Sequence, residues 1–450
     1  MKEKTIKCLL KSMICLTSVS ACITASAQNP ISQTEFTPDP APLVVGDTLY
    51  LITGHDEMEA TPNQFVMKDY LVFATTDMVN WTHHAPIFNA KEMFGEHENA
   101  NASQMAYRNG KFYFYPSTSG VPVLVSDSPY GPFVNPLGGK NQLTYPDETN
   151  YGGHGWEDID PTVFIDDDGQ AYLYWGNNAL YAVKLNEDMI SRDGDIKVFE
   201  IKDKEAFGPD YEEAPWFTKR GDKYYLAYAS FCPEATDWAW ADSPLGPWKY
   251  GGQIMRAFEH GGMGNHTGMC EYKGQWYFFY MDEGLPESHS RRRTASVVPF
   301  DFNEDGSIPY IHHDKRGVLK SVDPLNPYVR QQGETIAWEE GIGIGYDNIH
   351  CVYVNNVDPG DWIKVREVNF GEGAKSFNAR VRKGKPGSKI EVRLDAPNGE
   401  LLGIVDCASG NDWKETGCKI KKRDGIHDLY FVFAGDGNEL MEFDSWQFNQ

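Results

Sequence analysis

Gly221-Asp-Lys-Tyr-Tyr-Leu-Ala-Tyr228 is one of five copies of the same short sentence: a turn glycine, then a strand crowded with aromatic residues. The others are Gly46-Asp-Thr-Leu-Tyr-Leu-Ile52, Gly110-Lys-Phe-Tyr-Phe-Tyr115, Gly169-Gln-Ala-Tyr-Leu-Tyr174 and Gly274-Gln-Trp-Tyr-Phe-Phe-Tyr280. The glycines stand 64, 59, 52 and 53 residues apart, a spacing that suits one four-stranded antiparallel sheet per copy. Ser128-Pro-Tyr-Gly-Pro132 and Ser243-Pro-Leu-Gly-Pro247 add further turn punctuation at matching places two copies apart. No long amphipathic helix pattern intervenes. The expected fold class is therefore all-β: a five-bladed β-propeller over 28–318, in which radial closure hides most strand edges. A stack of β-sandwiches would leave the fivefold repeat unexplained.

Composition narrows the function. Of 450 residues, 41% are hydrophobic and 24% charged, which excludes disordered, collagenous and coiled-coil chains. A formal charge of −24 repels a phosphate backbone or an anionic bilayer, so no nucleic acid partner is expected. No apolar run after the N-terminus is long enough to predict a membrane-spanning segment. Residues 1–27 read as a signal peptide, with Lys2, Lys4, Lys7 and Lys11, an apolar stretch, and Ala25-Ser26-Ala27. The protein is thus expected to be exported, to the periplasm or beyond. Val19-Ser-Ala-Cys22 also matches a lipobox, which would anchor the chain through Cys22. Cys232, Cys270, Cys351, Cys407 and Cys418 follow no zinc spacing; Cys407 and Cys418 could pair across a hairpin.

A polar residue precedes each repeated glycine by six to nine positions: Asp39, Ser103 or Gln104, Asp160, Glu213 and His266. If the copies are blades, these positions converge on a common axis, and three carboxylates and an imidazole share one funnel. Clustered carboxylates raise one another's pKa, a cost that suits acid–base chemistry. Inverting glycoside hydrolysis needs a base and an acid roughly 6.5–9.5 Å apart, a gap that opposite walls of a funnel can span. The prolines after Asp39 and Asp160, and Ala214-Pro215 after Glu213, stiffen each turn.

Asp39-Pro-Ala-Pro42, Trp156-Glu-Asp-Ile-Asp160-Pro-Thr-Val163, Glu212-Glu213-Ala-Pro-Trp216, Asn265-His266-Thr-Gly268 and Arg291-Arg292-Arg293-Thr294 together resemble glycoside hydrolase family 43. The resemblance implies a five-bladed propeller, inversion, and action on α-L-arabinofuranosides or β-D-xylosides of plant cell-wall glycans. It assigns Asp39 as general base, Glu213 as general acid and Asp160 as the carboxylate that orients the acid, with Glu212 the local rival. Arg292 is similar in place to an arginine that reaches the sugar. His266 resembles an axial histidine that helps hold a structural calcium ion; no organic cofactor is implied. Trp81, Trp156 and Trp175 are candidate sugar-stacking faces, and His55-Asp56-Glu57 a candidate rim.

Asp323-Pro-Leu-Asn-Pro-Tyr-Val329 reads as the heart of a linker, 319–330, before a second β-rich unit, 331–450, expected to be a β-sandwich. Gly360-Asp-Trp-Ile363, Ile390-Glu-Val-Arg-Leu394 and Phe443-Asp-Ser-Trp-Gln-Phe448 resemble a family 6 carbohydrate-binding module. Trp413 is its candidate sugar platform, but Glu442 stands where relatives often carry a sugar-binding Asn. The expected activity is an exo-acting release of α-L-arabinofuranose from arabinoxylan or arabinan. A β-D-xylosidase and an inert glycan-binding protein are the alternatives.

Overall fold

The computed structural model describes residues 28–91, 99–118, 120–139, 141–149, 153, 157–230, 235–256 and 265–450. The signal segment with Cys22, together with Trp156 and Cys232, lies outside the described residues. Among those described, helix is confined to short turns such as Pro146–Thr149 and Lys204–Phe207, and none is long and apolar enough to cross a membrane. The chain is all-β.

Among the described residues, five antiparallel sheets follow one another along the first 300 positions. The first holds β1 (Ala41–Val45), β2 (Thr48–Asp56), β3 (Met67–Thr75), β4 (Trp81–His83) and β5 (Ile87–Asn89). The second holds β6 (Asn101–Arg108), β7 (Lys111–Ser117) and β8 (Leu124–Ser126). The third runs β9 (Thr162–Ile165), β10 (Ala171–Trp175), β11 (Tyr181–Leu185) and β12 (Arg192–Val198). The fourth comprises β13 (Glu213–Arg220), β14 (Lys223–Ser230), β15 (Ala235–Ala241) and β16 (Lys249–Arg256). The fifth comprises β17 (Thr267–Tyr272), β18 (Gln275–Asp282) and β19 (Thr294–Phe300).

Each repeated glycine closes the hairpin between the first two strands of a sheet, and all five have positive φ. At Gly110 and Gly274 the preceding Asn109 and Lys273 are left-handed as well, the double-positive turn that matches strand twist. Nothing lies within 4 Å of where a Cβ would sit on either glycine, so backbone conformation and not crowding demands the residue type.

The aromatic strand after each glycine is buried on both sides. In β10, Tyr172 and Tyr174 join a cluster with Phe217 and Tyr224 of the fourth sheet and with Trp248, just before β16. Leu173 and Trp175 join another with Tyr115 of the second and with Val123, just before β8. In β18, Tyr277 and Phe279 meet Leu49 and Leu51 of β2, while Phe278 and Tyr280 enter a cluster with Trp216 and Trp238. Alternation along a strand thus serves two neighbouring sheets at once. The leading strands also neighbour one another in a cycle: β1 lies against β6 and β17, β6 against β9, β9 against β13, and β13 against β17.

The rest of the chain adds β20 (Gln331–Gln332), β21 (Thr335–Ile336), β22 (Trp338–Glu340), β23 (Gly343–Asn348), β24 (Cys351–Asn355) and β25 (Trp362–Asn369). It continues with β26 (Ser376–Arg382), β27 (Lys389–Leu394), β28 (Glu400–Asp406), β29 (Lys414–Lys419), β30 (Ile426–Ala434) and β31 (Glu442–Asn449). One sheet is ordered β23-β24-β31-β26-β29 and the other β22-β25-β30-β27-β28. A single core that includes Phe377, Phe431, Phe443, Trp446 and Phe448 draws on both. Cys407 and Cys418 are free thiols, so the expected pairing does not form.

The two halves are joined by backbone. β21 pairs with β4, Thr335 opposite Thr82 and Ile336 opposite Trp81, so a segment expected in the second unit extends the first sheet. The buried Asn80 side chain donates to Arg366 O at 3.0 Å and accepts from Arg366 N at 2.7 Å, mimicking a peptide partner. Arg366 in turn donates to the carbonyls of Val318 and Leu319. Nearby, His55 lies 2.8 Å from Asp69 and 3.3 Å from Glu35, beside Tyr346 of β23. Burial alone would lower its pKa; hydrogen bonds to Asp69 and Glu35 outweigh that and push it up to about 10.

Replacing Asn80 by Ala leaves both backbone groups of Arg366 without this partner, and we expect a loss of about 1–3 kcal/mol in urea unfolding. A raised histidine pKa stabilises fully below its unfolded value near 6.5, and that contribution disappears as pH climbs through about 10. The stability gap between wild type and His55→Gln should therefore be constant below pH 6.5 and vanish at strongly alkaline pH.

Candidate active site

A cavity of about 390 Å³ opens where the leading strands meet, lined by Asp39, Phe65, Met67, Asn101, Ala102, Ile159, Asp160, Asn177, Asn178, Glu212, Glu213, His266 and Arg293. The size suits a small sugar. Its chemistry-bearing side chains come from the entrances of different sheets. Asp39 stands two residues before β1 and Asp160 two before β9, His266 immediately precedes β17, and Glu213 opens β13.

The backbone is bent to present them. Asp39 has φ 58°, Asp160 61° and Ala214, beside Glu213, 58°; each is followed by proline. Non-glycine residues occupy this region only where the surroundings over-determine them, and such strain gathers at functional sites. The β13–β14 register also slips between Glu213 and Trp216, a bulge that re-aims the glutamate. A comparable slip between Asn101 and Gln104 changes the second copy. There Asn101 and Ala102 face the cavity, whereas Gln104 accepts a hydrogen bond from Val163 N, so neither Ser103 nor Gln104 takes the place expected from spacing.

Charge in the cavity is paired. Asp39 Oδ1 lies 3.2 Å from Nη1 of Arg293, whose Nε and Nη2 grip both oxygens of Asp56 at 2.9 and 3.0 Å. Arg293 N–H also donates to Asp56 Oδ2 at 2.9 Å. Burial pushes the Asp56 carboxyl up and Arg293 pulls it back down only in part. On the other side Asp160 Oδ2 accepts from Ala214 N at 3.2 Å and lies 3.3 Å from Nε2 of His266. Burial lowers the His266 pKa, but the charges of Asp160 and Asp39 and the contact with Asp160 reverse this and bring it to about 9. Glu213 Oε2 accepts from Nδ2 of Asn177.

Asp160, Glu213 and His266 hold potential ligand atoms within 4.8 Å of one another. One imidazole and two carboxylates fall short of the six to eight oxygens that calcium favours. His266 Nε2 faces Asp160 directly.

Several expected contacts are elsewhere. Arg292 forms a bridge with His289, donates Nε to that ring at 2.7 Å, and points towards Glu287; its neighbour Arg293 enters the cavity. Adjacent residues in extended chain face opposite ways, and a triplet of arginines does not reveal the register. Trp175 is fully buried between sheets and donates Nε1 to Asp158 at 2.6 Å. Trp81 is packed edge-on to Phe279 in the core of the first and fifth sheets. Neither offers a face to sugar. Within His55-Asp56-Glu57, alternation sends Asp56 under the site and His55 and Glu57 to a separate cavity. In the second unit Trp413 carries Arg382 at 4.3 Å and Arg380 at 5.0 Å on its ring, and Glu442 is paired with Arg382 and Lys383. Spacing did not point to Asn177, although it stands two residues after the repeated strand of the third copy.

Comparison with known proteins follows the same outline. Residues 27–308 match glycosyl hydrolases family 43, and 332–450 match the carbohydrate binding module (family 6). An arabinoxylan arabinofuranohydrolase of Bacillus subtilis (strain 168) is 30% identical, across 98% of this chain and 96% of its own length. An enzyme of the same name from Paenibacillus polymyxa is 30% identical across 93% of this chain and 74% of that one. The crystal structure of the B. subtilis family 43 arabinoxylan arabinofuranohydrolase, in complex with cellotetraose, superposes with a TM-score of 0.82 at 29% identity, covering 94% of this chain and 98% of that one. With the family model matched over more than half of its length and a 30% identical relative matched along nearly all of it, this chain belongs to glycosyl hydrolases family 43 and is a glycoside hydrolase.

Proposed function

We propose that the enzyme is an inverting exo-glycosidase that releases α-L-arabinofuranose from arabinoxylan or arabinan-type plant glycans, with the five sheets acting as blades of a propeller around the catalytic funnel. Residues 28–318 form the catalytic part, 319–330 the linker, and 331–450 a β-sandwich module. The observation that carries the reading is the convergence of Asp39, Asp160 and Glu213 on one sugar-sized cavity together with Arg293 and His266. The naming of full-length relatives as arabinoxylan arabinofuranohydrolases supports the choice of substrate.

In this reading Glu213, as the carboxylic acid, gives its proton to the glycosidic oxygen while the bond from that oxygen to the anomeric carbon breaks. Asp39, held by Arg293, takes a proton from the water that attacks the opposite face. Asp160 holds the Ala214 N–H, and so anchors the backbone that carries the acid. Arg293 replaces Arg292 as the cation at the sugar. A structural calcium ion remains a proposal: His266 would lie beside it, water would complete its shell, and it would balance charge without entering bond cleavage. Export, with or without a lipid at Cys22, fits a polymeric substrate that cannot enter the cell.

We expect Glu213→Gln and Asp39→Asn each to lower kcat by about 10²- to 10⁴-fold with unchanged unfolding curves, and Glu212→Gln far less. Near-normal turnover in either of the first two would falsify the assignment. Proton NMR should first detect the released sugar as the inverted anomer. Liberation of xylose alone from a mixture of aryl arabinoside and xyloside would favour the β-D-xylosidase, and binding without turnover the inert glycan-binding protein.

A further inference from the structure

Next to Glu213 stands a short amide relay that the acid–base scheme above leaves unused. Asn178 Nδ2 donates to Oδ1 of Asn177 at 2.7 Å, and Asn177 Nδ2 donates to Oε2 of Glu213. The first bond sets the sense of the second: with its oxygen engaged by Asn178, the Asn177 amide turns its NH₂ towards the carboxylate. Asn177 is 3% exposed, and its segment is held by main chain on every side. Gly176 N–H donates to Ile159 O at 2.9 Å, Asn177 N–H to Glu157 O at 3.1 Å, and Asn178 N–H to Glu212 O at 2.6 Å. Gly176 has φ 134° and a Cβ there would sit 2.3 Å from Ala179 O, so only glycine lets the turn close. The buried Tyr211 hydroxyl donates to Gly176 O at 3.2 Å.

Resting on the reading of Glu213 as general acid, we propose that Asn177 is a positioning residue that selects which oxygen of Glu213 carries the transferable proton. A carbonyl oxygen accepts a hydrogen bond better than a hydroxyl oxygen. The Asn177 N–H therefore favours the neutral acid with C=O at Oε2 and O–H at Oε1. When the Oε1–H bond breaks and the proton joins the leaving oxygen, the electron pair left on the carboxylate makes the Asn177 bond charge-assisted and stronger. Asn177 gives up no proton of its own. It stabilises the carboxylate that forms during bond cleavage more than the acid that precedes it, which is the requirement for lowering a barrier.

Such a role depends on the leaving group. A methyl glycoside needs a proton as its bond breaks, whereas 2,4-dinitrophenolate departs without one. The test measures kcat/KM and its pH profile on methyl and 2,4-dinitrophenyl α-L-arabinofuranosides for wild type, Asn177→Ala, Asn177→Asp and Glu213→Gln. Expected is a loss of about ten- to a hundredfold for Asn177→Ala on the methyl glycoside, at least tenfold greater than its loss on the activated one. Asn177→Asp, similar in shape but an acceptor, should show the same selectivity and move the alkaline limb, where the general acid deprotonates, to higher pH, because a like charge then faces Glu213. Equal losses on both substrates, or no loss on either, would overturn the role of Asn177. If Glu213→Gln itself lost activity equally on both, the acid assignment would fall and this proposal with it.

Discussion

The rest of the molecule is organised around one electrostatic constraint: Asp39, Asp56, Asp160 and Glu213 crowd a single small region, where Arg293 and His266 face them as cations. Like charges at this spacing in a dry setting would protonate or push apart unless compensated. The guanidinium commits one edge, Nε and Nη2, to Asp56 and the donor Nη1 to Asp39, and the imidazole stands against Asp160. Arginine suits the first task because its rigid planar fork grips both oxygens of Asp56 in fixed geometry while a further donor reaches Asp39, a directionality that the point-like ammonium of lysine lacks. Within one cavity, Asp39 thus stands against a guanidinium and Asp160 against an imidazole, two different electrostatic settings.

Holding these groups together requires scaffolding from sheets far apart in the chain. Strands buried on both faces provide it, since each aromatic strand fills the space towards two neighbouring sheets. Stiff packing lets the strand entrances bear left-handed aspartates, a conformation that costs about 1–3 kcal/mol at each and would relax in a looser frame. Bulges at the start of β6 and β13 then adjust which side chain faces inward. Rigid body and strained rim are parts of the same arrangement.

The joint with the second unit follows a different rule. It is made by a paired strand, a side-chain amide that imitates a peptide group, and an arginine that caps carbonyls. Main-chain hydrogen bonds of this kind fix orientation more than apolar contact does, because each lost bond leaves a buried group without a partner. The Trp413 ring, in contrast, is covered by two arginines.

The all-β class, the five copies, and Asp39, Asp160, Glu213 and His266 were legible from sequence because repetition in register carries information that no lone Asp-Pro does. Turn glycines with positive φ and aromatic strands with alternating faces are local requirements, and local requirements are written in adjacent residues. The choice of Arg293 over Arg292, the burial of Trp81 and Trp175, and the splitting of Asp56 from His55 were not legible. Each turns on which face of a strand meets which neighbour, and a shift of one residue reverses the answer. Asn177 belongs to the same class: its importance lies in touching a glutamate 36 positions away. Composition and spacing thus determined what kinds of groups the chain would bring together. Only tertiary packing, which sets strand register and closes distances between separate sheets, decided which individual side chains meet.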